Sequence, residues 1–158
     1  LHKNGKCKQG KMGFIMDENK IIFEKLKIVS VDGGDVLRGL KFNETAYNGF
    51  GELYFSEVNF GEIKAWKKHN KMVMNLIVPC GQVKFVFYDD RENSKITNRF
   101  QEIVISKNNY KRITVPPNIW FGFKGIGKEN NLVVNLSNIE HSDDEVERKK
   151  INEINYKW

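Results

Sequence analysis

The sequence predicts an all-β fold, an antiparallel β-sandwich or small barrel. Short apolar segments recur at intervals of roughly eight to twelve residues, as in folds built from many short strands. Several of them alternate polar and apolar side chains, which is the pattern of a half-buried strand. Turn-forming residues lie between these segments, and no long segment has the periodicity of an amphipathic helix. Strands without long helices indicate sheets that pack face to face or close into a barrel.

The N-terminal part of the chain predicts a basic extension and then two strands. Residues 1–20 are rich in glycine and lysine and lack clear periodicity, so we predict an extension there and a single domain at residues 21–158. Apolar clusters alternate with lysines at 21–31, which predicts an edge strand. The following Asp-Gly-Gly-Asp predicts a tight turn, and residues 36–42 predict the next strand.

The central segment predicts three neighbouring strands, and the rest of the chain is organised around it. These strands are expected at 52–56, 72–78 and 83–88, with a turn at Pro79-Cys80-Gly81 between the last two. Between the first two lies a group of cations and aromatic side chains: Lys64, Trp66, Lys67, Lys68, His69 and Lys71. We interpret this group as a cation-rich bend and as the candidate binding mouth.

The C-terminal half predicts further strands and a charged tail. Strands are expected at 100–106, 110–115 and 132–137, a polar loop at 91–99, and an apolar aromatic segment at 120–123. Pro116 and Pro117 cannot continue a central strand, because proline donates no backbone hydrogen bond. Residues 143–150 are highly charged, and we expect one helical turn there.

Composition indicates one soluble domain. The chain has 158 residues, of which 40% are hydrophobic and 29% charged, and no apolar run is long enough for a membrane span. Nothing at its start resembles a signal peptide. Cys7 and Cys80 lie far apart, and Cys80 follows an apolar strand, which favours a reduced, buried thiol and a cytoplasmic protein.

The net charge of +6 is weak evidence for a nucleic-acid partner. Four of the 26 basic side chains, and none of the 20 acidic ones, lie in the first eleven residues, so the rest of the chain is close to neutral. A basic tail on a nearly neutral domain does not predict a basic binding face. We therefore expect no nucleic-acid binding.

Common catalytic motifs are absent from the sequence. It contains no phosphate-binding glycine loop, and no serine or cysteine has a recognisable histidine partner. The three histidines, His2, His69 and His141, are too scattered to form a recognisable metal-ligand set. We expect no metal and no cofactor, although one histidine completed by carboxylates would also make a site.

The cationic group at Lys64–Lys71 has two interpretations. It is either a solvated loop with two aromatic rings folded inward, or part of a pocket for an anion. In a strand at 72–78, Lys71 and Asn75 would share a face and become polar groups inside a sandwich, where an anionic ligand could satisfy them. Trp66 and Trp120 are either core residues or platforms that stack on a sugar or base.

Five segments together resemble the dTDP-4-dehydrorhamnose 3,5-epimerase family, and more closely its relatives in bacterial polysaccharide (O-antigen or capsule) gene clusters. They are G-F-G-E-L-Y-F-S, I-K-A-W-K-K-H-N-K-M, N-L-I-V-P-C-G-Q-V-K-F-V-F-Y-D-D-R, F-Q-E-I-V-I and T-V-P-P-N-I-W-F-G-F-K-G. The resemblance covers about residues 20–158. It implies a cupin-type jelly roll, usually a homodimer, that holds a nucleotide-diphosphate-linked 4-keto sugar and needs no metal.

The resemblance also implies site residues, several of which depart from the family pattern. Lys64-Ala65-Trp66-Lys67 matches the family segment R-G-L-H, which places Lys64 at the diphosphate and Lys67 at the position of the base histidine. Lys71 matches the family lysine beside the enolate oxygen. Val134 falls at the tyrosine acid and Phe121 at a histidine of the family segment A-H-G-F, and the chain ends before the family's supporting aspartate.

These departures leave two functional interpretations open. A lysine can act as the base at position 67 only if its pKa falls towards neutrality, and burial together with Lys64, Lys68 and Lys71 would lower it. Tyr54 or His69 would then handle the second proton, and Glu52 shares the strand face of Tyr54. The first interpretation is thus an epimerase or isomerase of a keto sugar. The alternative is a non-catalytic cupin that binds a nucleotide sugar or a pathway enzyme.

Overall fold

The computed structural model describes residues 20–92 and 99–158, which form twelve β-strands and two short 3-10 turns. No α-helix is present in those two ranges. The strands are β1 Ile22–Lys25, β2 Ile28–Val29, β3 Val36–Leu37, β4 Glu52–Val58, β5 Ile63–His69, β6 Met74–Cys80, β7 Gln82–Tyr88, β8 Phe100–Ser106, β9 Lys111–Val115, β10 Trp120–Gly125, β11 Asn131–Ser137 and β12 Val146–Arg148.

Ten of these strands form two antiparallel sheets that pack against each other. The first sheet has the order β1-β9-β6-β11-β4 and the second β12-β5-β10-β7-β8, while β2 and β3 form a small separate ribbon. Strands that are distant in sequence lie side by side, as in a sandwich whose connections cross between sheets. The all-β antiparallel architecture predicted from the sequence is confirmed.

The core lies between the two sheets and follows from the alternation of side chains along each strand. Met74, Leu76 and Val78 of β6 face Phe85 and Phe87 of β7, and all five are buried in one cluster. Burying a side chain of this size contributes about 1.5–3 kcal/mol relative to leaving it in water. The residues between them face outwards, so each sheet has one apolar face and one mixed face.

The predicted bend at Lys64–Lys71 is wrong, because most of it is the strand β5, whose register with β10 shifts once, opposite Gly122. Lys68 of this strand is opposite Trp120 of β10 on one side and Glu147 of β12 on the other. Lysine has low strand propensity, which hid the pattern, but its long apolar stem can cover an aromatic ring while the charge stays solvated. Lys68 lies over the Trp120 ring on the outer face, and Lys67 lies over Phe121 on the inner face.

The predicted turn at Pro79-Cys80-Gly81 is shorter than expected, and the predicted burial of Cys80 is wrong. Pro79 lies within β6, where the register with β11 shifts at a bulge, a position that tolerates a missing backbone donor. Only Gly81 makes the turn, with φ of +82°. Cys80 therefore lies at the exposed strand end as a free thiol.

The ends of the described chain differ most from the predicted strands. The edge strand predicted at 21–31 is present but ends at Lys25, and the strand predicted at 36–42 shortens to Val36–Leu37. The segment between Leu37 and β4 is held instead by the buried Arg112, which donates to the Gly39 carbonyl at 3.0 Å and to Glu44 at 2.6 Å. The helical turn expected at 143–150 is one 3-10 turn followed by β12.

Two sequence predictions lie largely outside the described residues. The basic extension, with His2 and Cys7, falls within residues 1–19, and most of the polar loop at 91–99 falls within residues 93–98. In the part of the chain that is described, no helix is both long and apolar enough to cross a membrane.

Candidate functional site

Three side chains that can exchange protons meet on the inner face of the sandwich. Tyr54 comes from β4, and Lys67 and His69 come from β5, with the buried ring of Phe121 beneath them. The Lys67 ammonium lies 3.4 Å from the Tyr54 hydroxyl and 5.0 Å from the centre of the Phe121 ring. The His69 ring centre lies 6.1 Å from that of Phe121. The structure therefore brings together four of the residues predicted from the sequence.

The environment of Lys67 lowers the pKa of its ammonium group. Burial, followed by the positive charges of Arg148 and Lys64, lowers the pKa of Lys67 to about 8. Within the described ranges no carboxylate lies within ion-pair distance of this ammonium. At pH 7 roughly one Lys67 side chain in ten is then neutral. Lys64 lowers the pKa of Lys67, as predicted from the sequence, whereas Lys68 and Lys71 do not contribute to this shift.

His69 is a neutral imidazole inside the fold. The residue is 4% exposed, and burial, followed by the charge of Lys67, lowers its pKa to about 4. Neither ring nitrogen has a hydrogen-bond partner among the described residues. A buried, unpartnered imidazole is costly for folding, and in its neutral form one of its nitrogens can accept a proton from a ligand.

Glu145 is a carboxylate close to His69 that the sequence analysis missed. One of its oxygens lies 3.9 Å from His69 Nδ1, and the same oxygen accepts the backbone N–H groups of Lys71 and Met72 at 2.8 and 2.6 Å. A carboxylate other than the family's aspartate thus lies beside His69. No spacing signal could reveal Glu145, because the pairing of β12 with β5 alone brings it there.

Tyr54 keeps its proton at neutral pH. Burial raises the pKa of the Tyr54 phenol, the nearby Glu52 carboxylate raises it further, and Arg148 opposes both. Glu52 itself accepts the backbone N–H of His141 at 3.1 Å. Tyr54 is thus a proton donor beside the Lys67 amine. The negative charge of Glu52 helps the Tyr54 phenol to keep its proton.

A small cavity with three cations at its rim opens beside Lys67. Its volume is about 320 Å³, and it is lined by Ser56, Lys64, Ala65, Trp66, Lys67, Phe123 and Arg148. Arg148 of β12 lies opposite Lys67 of β5 in the strand register. Three positive charges around one opening favour an anionic ligand. Arg148 was missed because β12 was not predicted as a strand.

Three residues predicted for the site lie away from the cavity, and a fourth, Trp66, only borders it. Lys71 is exposed beyond the end of β5. Asn75 is buried on the outer face of its sheet, where it donates to the Ala46 carbonyl at 3.1 Å and accepts from Thr114 at 2.8 Å. Trp66 and Trp120 belong to an apolar cluster on the outer face of the other sheet, although the chain at Trp66 borders the cavity. Asn75, Trp66 and Trp120 therefore take part in packing, and Lys71 lies in solvent.

Val134, which the sequence resemblance pairs with the family tyrosine, faces away from the interior. Val134 packs beside Ile77 on the outer face of the first sheet. Its neighbour Asn135 points inwards, is completely buried, and donates to Ser56 Oγ at 3.1 Å, while its own side-chain oxygen has no partner among the described residues. In the interior, β11 therefore contributes the amide of Asn135, and the neighbouring strand β4 contributes the phenol of Tyr54.

Nothing in the described site forms a metal centre. Within residues 20–92 and 99–158, no three histidine, cysteine or carboxylate side chains lie close enough together to hold a metal ion. The groups available for chemistry are thus the amine of Lys67, the imidazole of His69 and the phenol of Tyr54, with Lys64 and Arg148 at the opening.

Comparison with known proteins identifies several relatives, although no protein-family model matches the chain. A crystal structure of a dTDP sugar isomerase from Desulfovibrio desulfuricans is 34% identical, with a TM-score of 0.83 over 87% of this chain and 90% of the other. The dTDP-4-dehydrorhamnose 3,5-epimerase of Sulfolobus tokodaii, at 18% identity, has a TM-score of 0.74 over 90% of this chain and 82% of its own. These structures confirm the cupin-type jelly roll.

Two curated proteins also match. A probable low-salt glycan biosynthesis epimerase of Haloferax volcanii is 34% identical over 83 residues, which are 52% of this chain and 53% of the relative, about half its length. The spore coat polysaccharide biosynthesis protein SpsL of Bacillus subtilis is 24% identical over 128 residues, 81% of this chain and 85% of that protein.

Proposed function

This chain belongs to the dTDP-4-dehydrorhamnose 3,5-epimerase family, and we propose that it epimerises or isomerises a nucleotide-diphosphate-linked 4-keto sugar in polysaccharide biosynthesis. The observation that carries this proposal is the meeting of Lys67, His69 and Tyr54 on the inner face, beside an opening with cations at its rim. Because nucleotide-linked sugars are made in the cytoplasm, we propose that location for the reaction.

The proposed chemistry is proton transfer at a carbon beside the ketone. Such a proton is acidic because the negative charge that remains spreads onto the carbonyl oxygen as an enolate. The neutral form of Lys67 can remove it, or His69 can do so while the charged form of Lys67 stabilises the enolate oxygen. Tyr54 can return a proton to carbon. Each such group typically contributes 10²–10⁴-fold to the rate.

The proposed diphosphate subsite is the cationic rim. Lys64 and Arg148 are exposed there, and both line the cavity that Lys67 also borders. A diphosphate bound between them would leave the attached sugar directed towards Lys67 and Tyr54. Lys64 lacks the bidentate geometry of arginine, so we assign the stronger phosphate contact to Arg148.

Two observations favour a second candidate, a non-catalytic cupin that binds a nucleotide sugar or a pathway enzyme. The family base histidine is replaced by Lys67, and Val134, at the position of the tyrosine acid, faces outwards. A protein that kept the pocket and lost the reaction would have these same replacements.

Deuterium exchange distinguishes the two candidates. The protein is incubated in heavy water with dTDP-4-keto-L-rhamnose, the ligand in a Legionella pneumophila epimerase structure, and the sugar is examined by NMR for deuterium on the carbons beside the ketone. We expect incorporation that His69→Gln and Tyr54→Phe reduce by roughly 10²-fold or more. Lys71→Ala, which changes an exposed lysine outside the site, is the control. Tight binding without incorporation would support the non-catalytic candidate.

We also propose that the protein forms a homodimer through β4. This strand is an edge of the first sheet, and its outward side chains Leu53 and Phe55 are 47% and 62% exposed. Unpaired strand edges with exposed apolar side chains favour pairing with another strand. Light scattering should report a dimer, and Phe55→Glu should convert it to a monomer. A monomeric starting protein would contradict this.

A further inference from the structure

We propose that Lys67 acts covalently, as the amine that forms a Schiff base with the carbonyl carbon of the keto sugar. This inference rests on the proposed function and deepens it, because it replaces an enolate with an enamine at the same site. Lysine amines form such bonds with carbonyl substrates when they lie in an apolar pocket or beside another cation.

The contacts of Lys67 differ from those of two other strand lysines, Lys68 and Lys84. Lys68, the next residue, pairs with Glu147 at 3.0 Å, and Lys84 pairs with Glu102 at 2.9 Å. Lys67 instead lies between the rings of Tyr54 and Phe121, and in the described ranges it has no carboxylate partner. An amine held against two rings without a counter-ion is positioned to react rather than to form an ion pair.

The charges that face Lys67 favour its neutral, nucleophilic form. Its own strand contributes the cation Lys64 and the neutral imidazole of His69, and β12 contributes the cation Arg148. The carboxylate of Glu145 lies next to His69, and the Glu52 carboxylate acts on Tyr54. Burial and the two cations together lower the pKa of Lys67 to about 8, which leaves a usable fraction of free amine at neutral pH.

The bond-forming step requires a proton donor close to the amine, and Tyr54 provides one. The Lys67 nitrogen attacks the carbonyl carbon, the new C–N bond forms, and the oxygen takes a proton from the Tyr54 hydroxyl, 3.4 Å from the amine in the free protein. The nitrogen then sheds a proton, which returns to the Tyr54 oxygen. The hydroxyl group then takes a second proton from the solvent, which balances the proton that the Lys67 ammonium released when it became neutral. The C–O bond breaks, water leaves, and an iminium ion remains.

The iminium ion makes the neighbouring C–H bond more acidic than the ketone does. His69, neutral and without a partner for either ring nitrogen among the described residues, accepts that proton and an enamine forms. Tyr54 returns its proton to the same carbon from the other face, which inverts the carbon, and the proton held by His69 passes through solvent to restore the Tyr54 hydroxyl. Water then adds to the iminium carbon and the C–N bond breaks, which restores the ketone and the Lys67 amine without net oxidation or reduction.

Borohydride trapping tests this inference. The protein is mixed with dTDP-4-keto-L-rhamnose, treated with sodium cyanoborohydride, and analysed by intact mass and peptide mapping. We expect one sugar adduct per chain, on Lys67. dTDP-quinovose, which has no ketone and is the ligand in a Streptomyces bikiniensis structure, should give none. Lys67→Arg keeps the charge but should lose the adduct by at least tenfold, and Lys68→Ala should keep it.

The outcomes separate this inference from the proposed function. Deuterium exchange without an adduct, or exchange that Lys67→Arg leaves within twofold of the unmodified protein, overturns the covalent step and leaves the proposed function intact. An adduct on a lysine other than Lys67 also overturns it. Binding with neither adduct nor exchange overturns both proposals. Circular dichroism of Lys67→Arg establishes that the variant is folded, so loss of the adduct reports on the amine itself.

Discussion

Replacement of Lys67 by methionine should make the protein more stable at pH 7. The ammonium lies on the inner face without a carboxylate partner among the described residues, so folding must bring a charge into a poorly solvated place. Methionine has a similar length and no charge, and it can pack against Phe121 and Tyr54. Substitution of an unfavourable buried charge by an apolar side chain often stabilises a fold.

The size of this effect follows from the pKa of Lys67. A value that falls from 10.5 in the unfolded chain to about 8 in the folded protein corresponds to roughly 3 kcal/mol of lost stability. Because the folded pKa is the lower one, the loss is complete below pH 8, shrinks as the pH rises from 8 to 10.5, and vanishes above that. Residual solvation of Lys67 reduces the expected gain in Lys67→Met to about 1–3 kcal/mol at pH 7.

Urea unfolding of both proteins at pH 7 and pH 10 measures this difference. We expect Lys67→Met to unfold at a higher urea concentration at pH 7, and the advantage to fall below about 1 kcal/mol at pH 10. Lys68→Met is the matched control, since it removes a neighbouring lysine that has a carboxylate partner, and it should lower stability by up to about 1 kcal/mol. Equal stability of Lys67→Met and the unmodified protein at pH 7, or an advantage that does not change with pH, would refute the reasoning.

Three further predictions concern other parts of the site and its support. The rate of deuterium exchange should rise roughly tenfold between pH 7 and pH 9, as the pKa of Lys67 near 8 is crossed, and a flat profile would exclude a role for the neutral amine. Arg148→Gln should weaken dTDP binding about tenfold in calorimetry, because it removes one cation of the rim; unchanged affinity would move the diphosphate elsewhere. Arg112→Met should lower the free energy of unfolding by about 1–3 kcal/mol, because it removes the charge-assisted hydrogen bonds to Glu24 and Glu44, whose side chains are 45% and 25% exposed; unchanged urea unfolding would mean that these contacts do not stabilise the fold.

Strand positions were predicted best where side chains alternate cleanly. The strand predicted at 100–106 has those same bounds, and the one predicted at 83–88 begins one residue earlier. Prediction failed at β5 and β12, where charged side chains dominate. A strand whose lysines cover aromatic rings has no simple alternation of polar and apolar residues, so only its pairing with β10 and β12 reveals it.

The site was predicted in part for a similar reason. Lys67, Tyr54, His69 and Phe121, which were all named from the sequence, face the interior. The faces of Trp66 and Asn75 could not be assigned, because the choice of inner or outer face depends on which sheet packs against the strand. Glu145 and Arg148 were missed because they are more than 70 residues away in sequence from the strand that they support.

The sequence by itself determined the all-β class, most of the strands and the presence of a cation-rich segment between two of them. It did so because local alternation and residue identity are properties of neighbouring positions. Only the tertiary structure decided which lysine of the cationic group enters the interior, and which distant charges surround it. Strand pairing and the facing of the two sheets fix those contacts, and burial against Phe121 together with the nearby Arg148 gives Lys67 a pKa that an isolated lysine does not have.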